Sequence, residues 1–394
     1  MSKSYYSNSP LELKIKKDLT KAKLARRAKM MKERELLGSP KELAAFDTRQ
    51  AGETIKACRE ILHKNLGLEH KVDWASFYDD SLLPPYIPSE PPPRYELVAK
   101  QLNVPRQSFW GELFFPSRKK KRLQLEEAAK TAFQEQLRAY QAAQTAAQAE
   151  YEAQKAILLH EQAELNRFID QLQLDVEKGR PAAVAALARI ALSRLAVPDN
   201  VELGFEADYN SRDKILQING LLPEPDQLGH VLRYEYQDGD SAILPVAMDE
   251  ATFNDYYEST LLQIALSAVQ IIFTAFPDRQ VRELAFNGLT GEDPKCILTC
   301  HIKRESFAQL DLAGNDPKVT FRAMGGVMHK PLTALTPVAS LAIPSDAEQG
   351  VTTALTDVYR PGEIKKAADS ILVHLLDEIE NDFNPNPPKR DLLH

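Results

Sequence analysis

The sequence predicts an α+β protein in which a long, coiled-coil-like helix leads into a mainly antiparallel sheet packed with helices. Three observations carry this expectation. Residues 118 to 175 contain neither glycine nor proline and place apolar side chains at heptad spacing. Beyond Gly179, short runs rich in β-branched and aromatic residues alternate with turn residues, as consecutive hairpin strands do. Apolar and amphipathic helical stretches fall between those runs, which suits helices laid against a sheet.

The elements follow in chain order. Met1 to Pro10 is polar and lacks the apolar core of a signal peptide. Ser9 to Leu37 is helical in pattern and strongly basic, and Gly38, Ser39 and Pro40 supply a stop. Residues 1 to 38 carry eleven Lys or Arg against four acids, so with a net charge of −7 for the whole chain the remainder holds −14. Lys14, Lys16, Lys17, Lys21, Lys23, Arg26 and Arg27 are therefore candidate contacts for nucleic acid or another anionic partner, with a solvated helix as the plainer reading. No aromatic residues are interleaved among them for base stacking. A second helix is expected from about Pro40 to Leu66, with Leu43, Phe46, Ile55, Cys58, Ile61 and Leu62 inward, closing a basic helical arm over residues 1 to 70.

Residues 71 to 117 read as a proline-rich linker, with Pro84, Pro85, Pro88, Pro91, Pro92 and Pro93 clustered and Pro105 beyond. Proline removes backbone donors and restricts the residue before it, so neither helix nor sheet continues through such a stretch. Trp74, Phe77, Tyr78 and Tyr86 are its candidate anchors. The long helix then covers residues 118 to 178, its seam running through Phe133, Leu137, Tyr140, Gln144, Ala147, Tyr151, Gln154, Leu158, Glu161, Leu165, Phe168 and Leu172. Three polar positions interrupt that seam, which is expected to associate in trans or by folding back on the N-terminal helices. Arg118, Lys119, Lys120, Lys121 and Arg122 open the helix as a compact positive patch, where the helix dipole disfavours cations; contact with phosphate or an acidic partner would account for it.

The α+β domain spans residues 180 to 347. It begins with a helix from Pro181 to Ala196, then strands near Val201 to Tyr209, Lys214 to Gly220 and Val231 to Tyr236. Asp249 caps a helix reaching Phe276, in which Gln263, Ser267 and Gln270 break an apolar run too interrupted for a membrane span. Strands Val281 to Gly288 and Cys296 to Lys303 follow, then short helices near Glu305 to Leu312 and Pro317 to Met324. A last amphipathic helix is expected at about Glu363 to Asp382 within a C-terminal region of residues 348 to 394.

Signatures of chemistry are sparse. There is no GxxxxGK[ST] loop, no strand-linked GxGxxG, no GxSxG elbow, no HExxH and no paired CxxC, so no cofactor is expected. Cys58, Cys296 and Cys300 cannot build a disulfide framework, and a cytoplasmic setting is expected. Cys296 and Cys300 share a strand face while His301 points away, which favours core packing over a metal site. A PD-(D/E)xK nuclease would need an acid such as Asp278 and an acid two residues before Lys303, but His301 stands in the latter place and is a poor magnesium ligand.

Several stretches, taken in order, resemble the noncatalytic N-terminal and central region of bacterial Mrr-type restriction endonuclease proteins. They are "VDWASF", the proline run, "FFPSRKKKR", the long helix, "AAVAALARIALSRLAVP", "GFEADYNSRDKILQINGLLP", "LLQIALSAVQIIFTAF", "VRELAFNGL", "KCILTCHIKRESFAQLDLAGNDPKVTFRAMGG" and "LTPV". The resemblance covers about residues 70 to 345 and implies a restriction or phage-defence setting. Members of that family usually continue into a C-terminal nuclease domain, which the one helix and short tail expected after Ala347 do not match, so no catalytic residue is carried over. The resulting expectation is a nonenzymatic subunit that oligomerises through the long helix, contacts DNA or another polyanion, and supports a separate effector or nuclease protein. The rival expectations are a metal-dependent DNA nuclease with a degenerate PD-(D/E)xK-like site and a pure assembly scaffold.

Overall fold

The computed structural model describes residues 9–88, 91–107, 116–237 and 242–343, all within one compact unit. The expected C-terminal helix near Glu363 to Asp382 lies outside the described residues. Helix α1 (Pro10–Glu35) starts where Ser9 and Glu12 form a reciprocal capping box, each side chain accepting the other residue's backbone N–H at 3.2 Å. Ser39 and Glu42 repeat the device at α2 (Pro40–Arg59). The single helix expected to Leu66 is broken at Glu60 (φ −110°, ψ 10°), and α3 (Ile61–Leu66) resumes at an angle that buries Cys58, Ile61 and Leu62 together.

A short 3-10 turn (Trp74–Phe77) follows, and then α4 (Tyr95–Gln101), which the proline-rich composition had hidden. Residues 78–88 run back along the longest element, α5 (Pro116–Glu177), of 62 residues. The Tyr78 hydroxyl donates to Asp170 and the Tyr86 hydroxyl to Gln144 Oε1 (2.7 Å). Tyr86 also packs on Tyr151 (centroids 5.9 Å apart), and Tyr95 stands edge-on to Phe133 (6.0 Å). Residues 78–88 are thus a strap lying antiparallel on the heptad seam. At the other end of the seam, Leu165, Phe168 and Leu172 are buried in the main core with Leu11 of α1 and Phe77.

Gly179 (φ +69°) closes α5, with Arg180 N–H reaching Asp175 O and Gly179 N–H reaching Val176 O, both at 2.9 Å, a Schellman ending. Pro181 then opens α6 (Pro181–Leu192), buried on nearly every side. The main sheet has the order β1-β2-β5-β6-β7, built from β1 (Gly204–Asn210), β2 (Ile215–Leu221), β5 (Glu283–Thr290), β6 (Lys295–Lys303) and β7 (Val327–Met328). All neighbours are antiparallel except β2 and β5, which run parallel on either side of the crossover through α7 (Glu250–Ala275). The strand expected at Val231 to Tyr236 forms but leaves this sheet. It is β3 (Val231–Gln237), paired with β4 (Ala242–Ala247) in a separate hairpin. The reason is burial: β3 has no buried residue, whereas β5 is buried along most of its length, so β5 takes the central place beside β2.

Leu216, Ile218, Leu284, Phe286, Cys300 and Ile302 belong to a core shared with α3, α6 and α7. α7 is long and apolar enough to cross a membrane, yet 78% of its apolar window is buried inside this domain, so it is a core helix. Short helices α8 (Arg304–Phe307) and α9 (Pro317–Ala323) close the fold. The glycine pair after α9 is a packing device: Gly325 has φ +73°, and a Cβ on Gly326 would lie 2.3 Å from Phe321 Cδ1.

Candidate functional site

The basic arm is a docked helix whose cations are in part spoken for. Lys14 Nζ pairs with Asp79 Oδ2 at 2.8 Å, Lys23 with Glu202 at 3.5 Å, and Arg26 grips both oxygens of Asp199 at 2.9 and 2.6 Å. The hydrogen bond from Lys14, seconded by those from Ser81, holds the Asp79 carboxyl well below the usual carboxylate range, and Arg26 does the same for Asp199. Lys16, Lys17, Lys21 and Arg27 remain exposed, with no ion pair among the described residues.

The second cluster is smaller than its sequence suggests. Lys119, Lys120 and Lys121 are exposed, as is Arg118, but Arg122 is only 8% exposed and its guanidinium pairs with Glu126 one turn on. Arg122 is thereby removed from the exposed cluster, because it is buried and its charge is paired with Glu126 on its own helix. The two clusters are also not one site. Lys14 sits beside Asp79, which Asn166 of α5 holds by its backbone N–H (3.0 Å), and from there to Arg118 the helix runs about 70 Å.

The residues considered for a nuclease do not converge. Asp278 pairs with Arg304 at 3.2 Å, while Lys303 and His301 both lie against Glu283, at 3.8 and 2.9 Å. Arg304 is a structural clamp: it donates to the carbonyls of Phe273, Phe276 (2.9 Å) and Val281 (2.9 Å), closing the C-terminus of α7, and stacks over the Phe273 ring at 4.7 Å. Cys58, Cys296 and Cys300 are buried and free, and burial pushes the Cys300 thiol up to about 12, so it is no nucleophile at neutral pH. No group of three or more His, Cys, Asp or Glu is placed to hold a metal among the described residues.

On the sheet face opposite the core, polar side chains form a ladder across three strands. Asn287 Nδ2 donates to Asn219 Oδ1 and Leu341 O, Asn287 Oδ1 accepts from Thr299 Oγ1 and Leu341 N–H, all at 2.9 Å, and Gln217 Oε1 accepts from Ile343 N–H at 2.9 Å. This face is therefore occupied by the chain's own segment 338–343. One cleft the sequence did not suggest opens at the end of the sheet, where Lys178, Lys214 and Arg279 meet from three separate loops around a volume of about 680 Å³. No local motif could have indicated it, since the parallel pairing of β2 with β5 brings Lys214 and Arg279 together and the Gln280–Val176 hydrogen bond ties in the end of α5 at Lys178.

What fold and surface define is a class: an α+β protein with a strap-braced helical stalk and exposed cations gathered at separate places. No protein-family model, curated protein or solved structure matches this chain.

Proposed function

We propose that this chain is a nonenzymatic, cytoplasmic subunit of a bacterial restriction or anti-phage defence system, one that positions DNA or another polyanion for a separate effector protein. The setting rests on the resemblance of residues 70 to 345 to Mrr-type restriction proteins. The observation that carries the mechanical part is the strap along α5: a helix of about 93 Å braced over much of its length is a semi-rigid spacer. It holds Lys119, Lys120 and Lys121 far from the folded body, a suitable arrangement for a subunit that bridges two partners. The remaining seam positions, such as Leu158, supply the protein contact through which the chain oligomerises or meets its effector.

The test is purification of the intact chain from its native cells at low salt, with identification of what accompanies it. DNA and an effector protein are expected to be retained at about 50 mM salt, and replacing Lys119, Lys120 and Lys121 by Gln is expected to flatten the salt dependence of DNA retention. Three phosphate contacts correspond to about a 40-fold change in affinity between 50 and 200 mM salt. A chain that carries neither nucleic acid nor effector under those conditions would sink this reading.

A further inference from the structure

Three loops distant in sequence meet where α5 enters the sheet. They are the α5 ending at Lys178, the β1–β2 turn through Lys214, and the turn between α7 and β5 that holds Arg279. The cleft between them has Tyr209 and Gln280 among its lining residues. Lys178, Lys214 and Arg279 have no carboxylate at ion-pair distance among the described residues, although the chain as a whole carries −7. The one lining acid, Glu177, accepts from Gln173 Nε2 at 3.3 Å and keeps its charge, so the lining holds three cations against one carboxylate. Arg212 and Arg282, both exposed, adjoin the cleft in the chain, as do exposed Asp213 and Asp278, the latter paired with Arg304.

The frame is stiff. Tyr209 donates its hydroxyl to Gln280 O, Gln280 Nε2 donates to Val176 O at 2.7 Å, and Lys214 O accepts Arg282 N–H at 2.9 Å, so each loop is tied to another. The backbone at Lys214 has φ +58°, the left-handed region that glycine or asparagine fills with little strain and that costs other residues about 1 kcal/mol. A lysine at that position works against the turn. The Lys214 side chain nonetheless lines the cleft beside two other cations.

We propose that this cleft is a phosphate-binding site, and that its occupant is the phosphodiester backbone of a nucleic acid. Multiple unpaired cations around one opening suit an anion with several charges. Tyr209 is buried and its hydroxyl is engaged, leaving no exposed ring among the lining residues to stack a base; the site reads charge and not sequence. The inference rests on the polyanion reading above and names the surface of the folded body that would hold it.

The experiment is fluorescence anisotropy of a labelled DNA duplex with the full chain over a range of salt. The triple substitution Lys178→Gln, Lys214→Asn and Arg279→Gln removes the charge, and asparagine keeps the left-handed turn. It is expected to weaken binding about tenfold or more and to lower the salt slope by about 2.7, whereas Lys178→Arg with Arg279→Lys retains both. Wild-type chain that binds DNA with the triple variant unchanged in affinity and slope overturns the cleft while leaving the polyanion reading in place. Wild-type chain that binds no DNA at low salt overturns that reading as well. Displacement of DNA from the wild type by micromolar ATP, with ATP binding lost in the triple variant, would replace the nucleic-acid backbone by a free nucleotide as occupant.

Discussion

Gln263 lies in the most apolar stretch of the chain, and its amide joins two elements that are far apart in sequence. Its Oε1 accepts the Leu62 N–H at 3.1 Å and its Nε2 donates to Cys58 O at 3.3 Å, satisfying backbone groups on both sides of the break between α2 and α3. Ser267, one turn further along α7, is fully buried with no hydrogen-bond partner for its hydroxyl. Both residues stand out in the sequence as interruptions of an apolar run, but only the fold separates them, because the partners of Gln263 are about 200 residues away. Gln263→Ala leaves two buried backbone groups unpaired and is expected to cost about 2 to 4 kcal/mol. Ser267→Ala removes a desolvated hydroxyl and is expected to cost nothing or to stabilise slightly. Urea midpoints of the two variants give the comparison, and equal losses would show that Gln263 acts by packing alone.

Among the elements, α1 shows what the charge asymmetry of the sequence is for. A basic arm on an acidic body is in part an internal complementarity: Asp79, Asp199, Glu202 and Asp47 receive Lys14, Arg26, Lys23 and Arg34. The helix itself was legible from its cap signals and composition, whereas its docking was not, since those acids lie in loops and helices with no periodicity relating them to α1. The depressed Asp79 carboxyl makes this docking dependent on pH. Because its folded-state pKa lies below the unfolded value, its contribution is fully present above about pH 4 and is lost as pH falls through the folded value. The pair is only partly buried, so Asp79→Asn is expected to cost about 1 kcal/mol at pH 7, with the difference from wild type shrinking as pH drops below about 4. Urea denaturation at pH 7 and at about pH 2 measures this, and an undiminished difference at the lower pH would assign the loss to something other than the ion pair.

At the scale of the whole molecule, two regions of very different packing share one helix. Residues 165 to 176 of α5 lie in the main core with α1 and α6, while residues 130 to 160 are flanked by the strap and otherwise largely open to solvent. The seam was readable in the sequence but its occupant was not, because an extended proline-rich segment has no helical periodicity to match against heptads; only two of its candidate anchors, Tyr78 and Tyr86, marked it. Gln144, which reads as a flaw in the seam, is the acceptor for the Tyr86 hydroxyl, while Gln154 and Glu161 stay exposed. Local stability follows local burial. Backbone amides of α7 and of residues 165 to 176 are therefore expected to exchange only through global unfolding, and those around Ala139 to Ala149 by a cheaper opening in which the strap detaches. Tyr86→Ala with Tyr95→Ala removes two of the ring contacts on α5, Tyr151 and Phe133, and one hydroxyl bond. Hydrogen exchange read by mass spectrometry should then accelerate about tenfold or more in residues 130 to 155, since each aromatic contact is worth roughly 1 kcal/mol, with α7 unchanged. Equal acceleration in both regions would mean that the stalk and the core unfold as one unit; no acceleration in either would mean that a second seam partner, and not the strap, holds the stalk helical in solution.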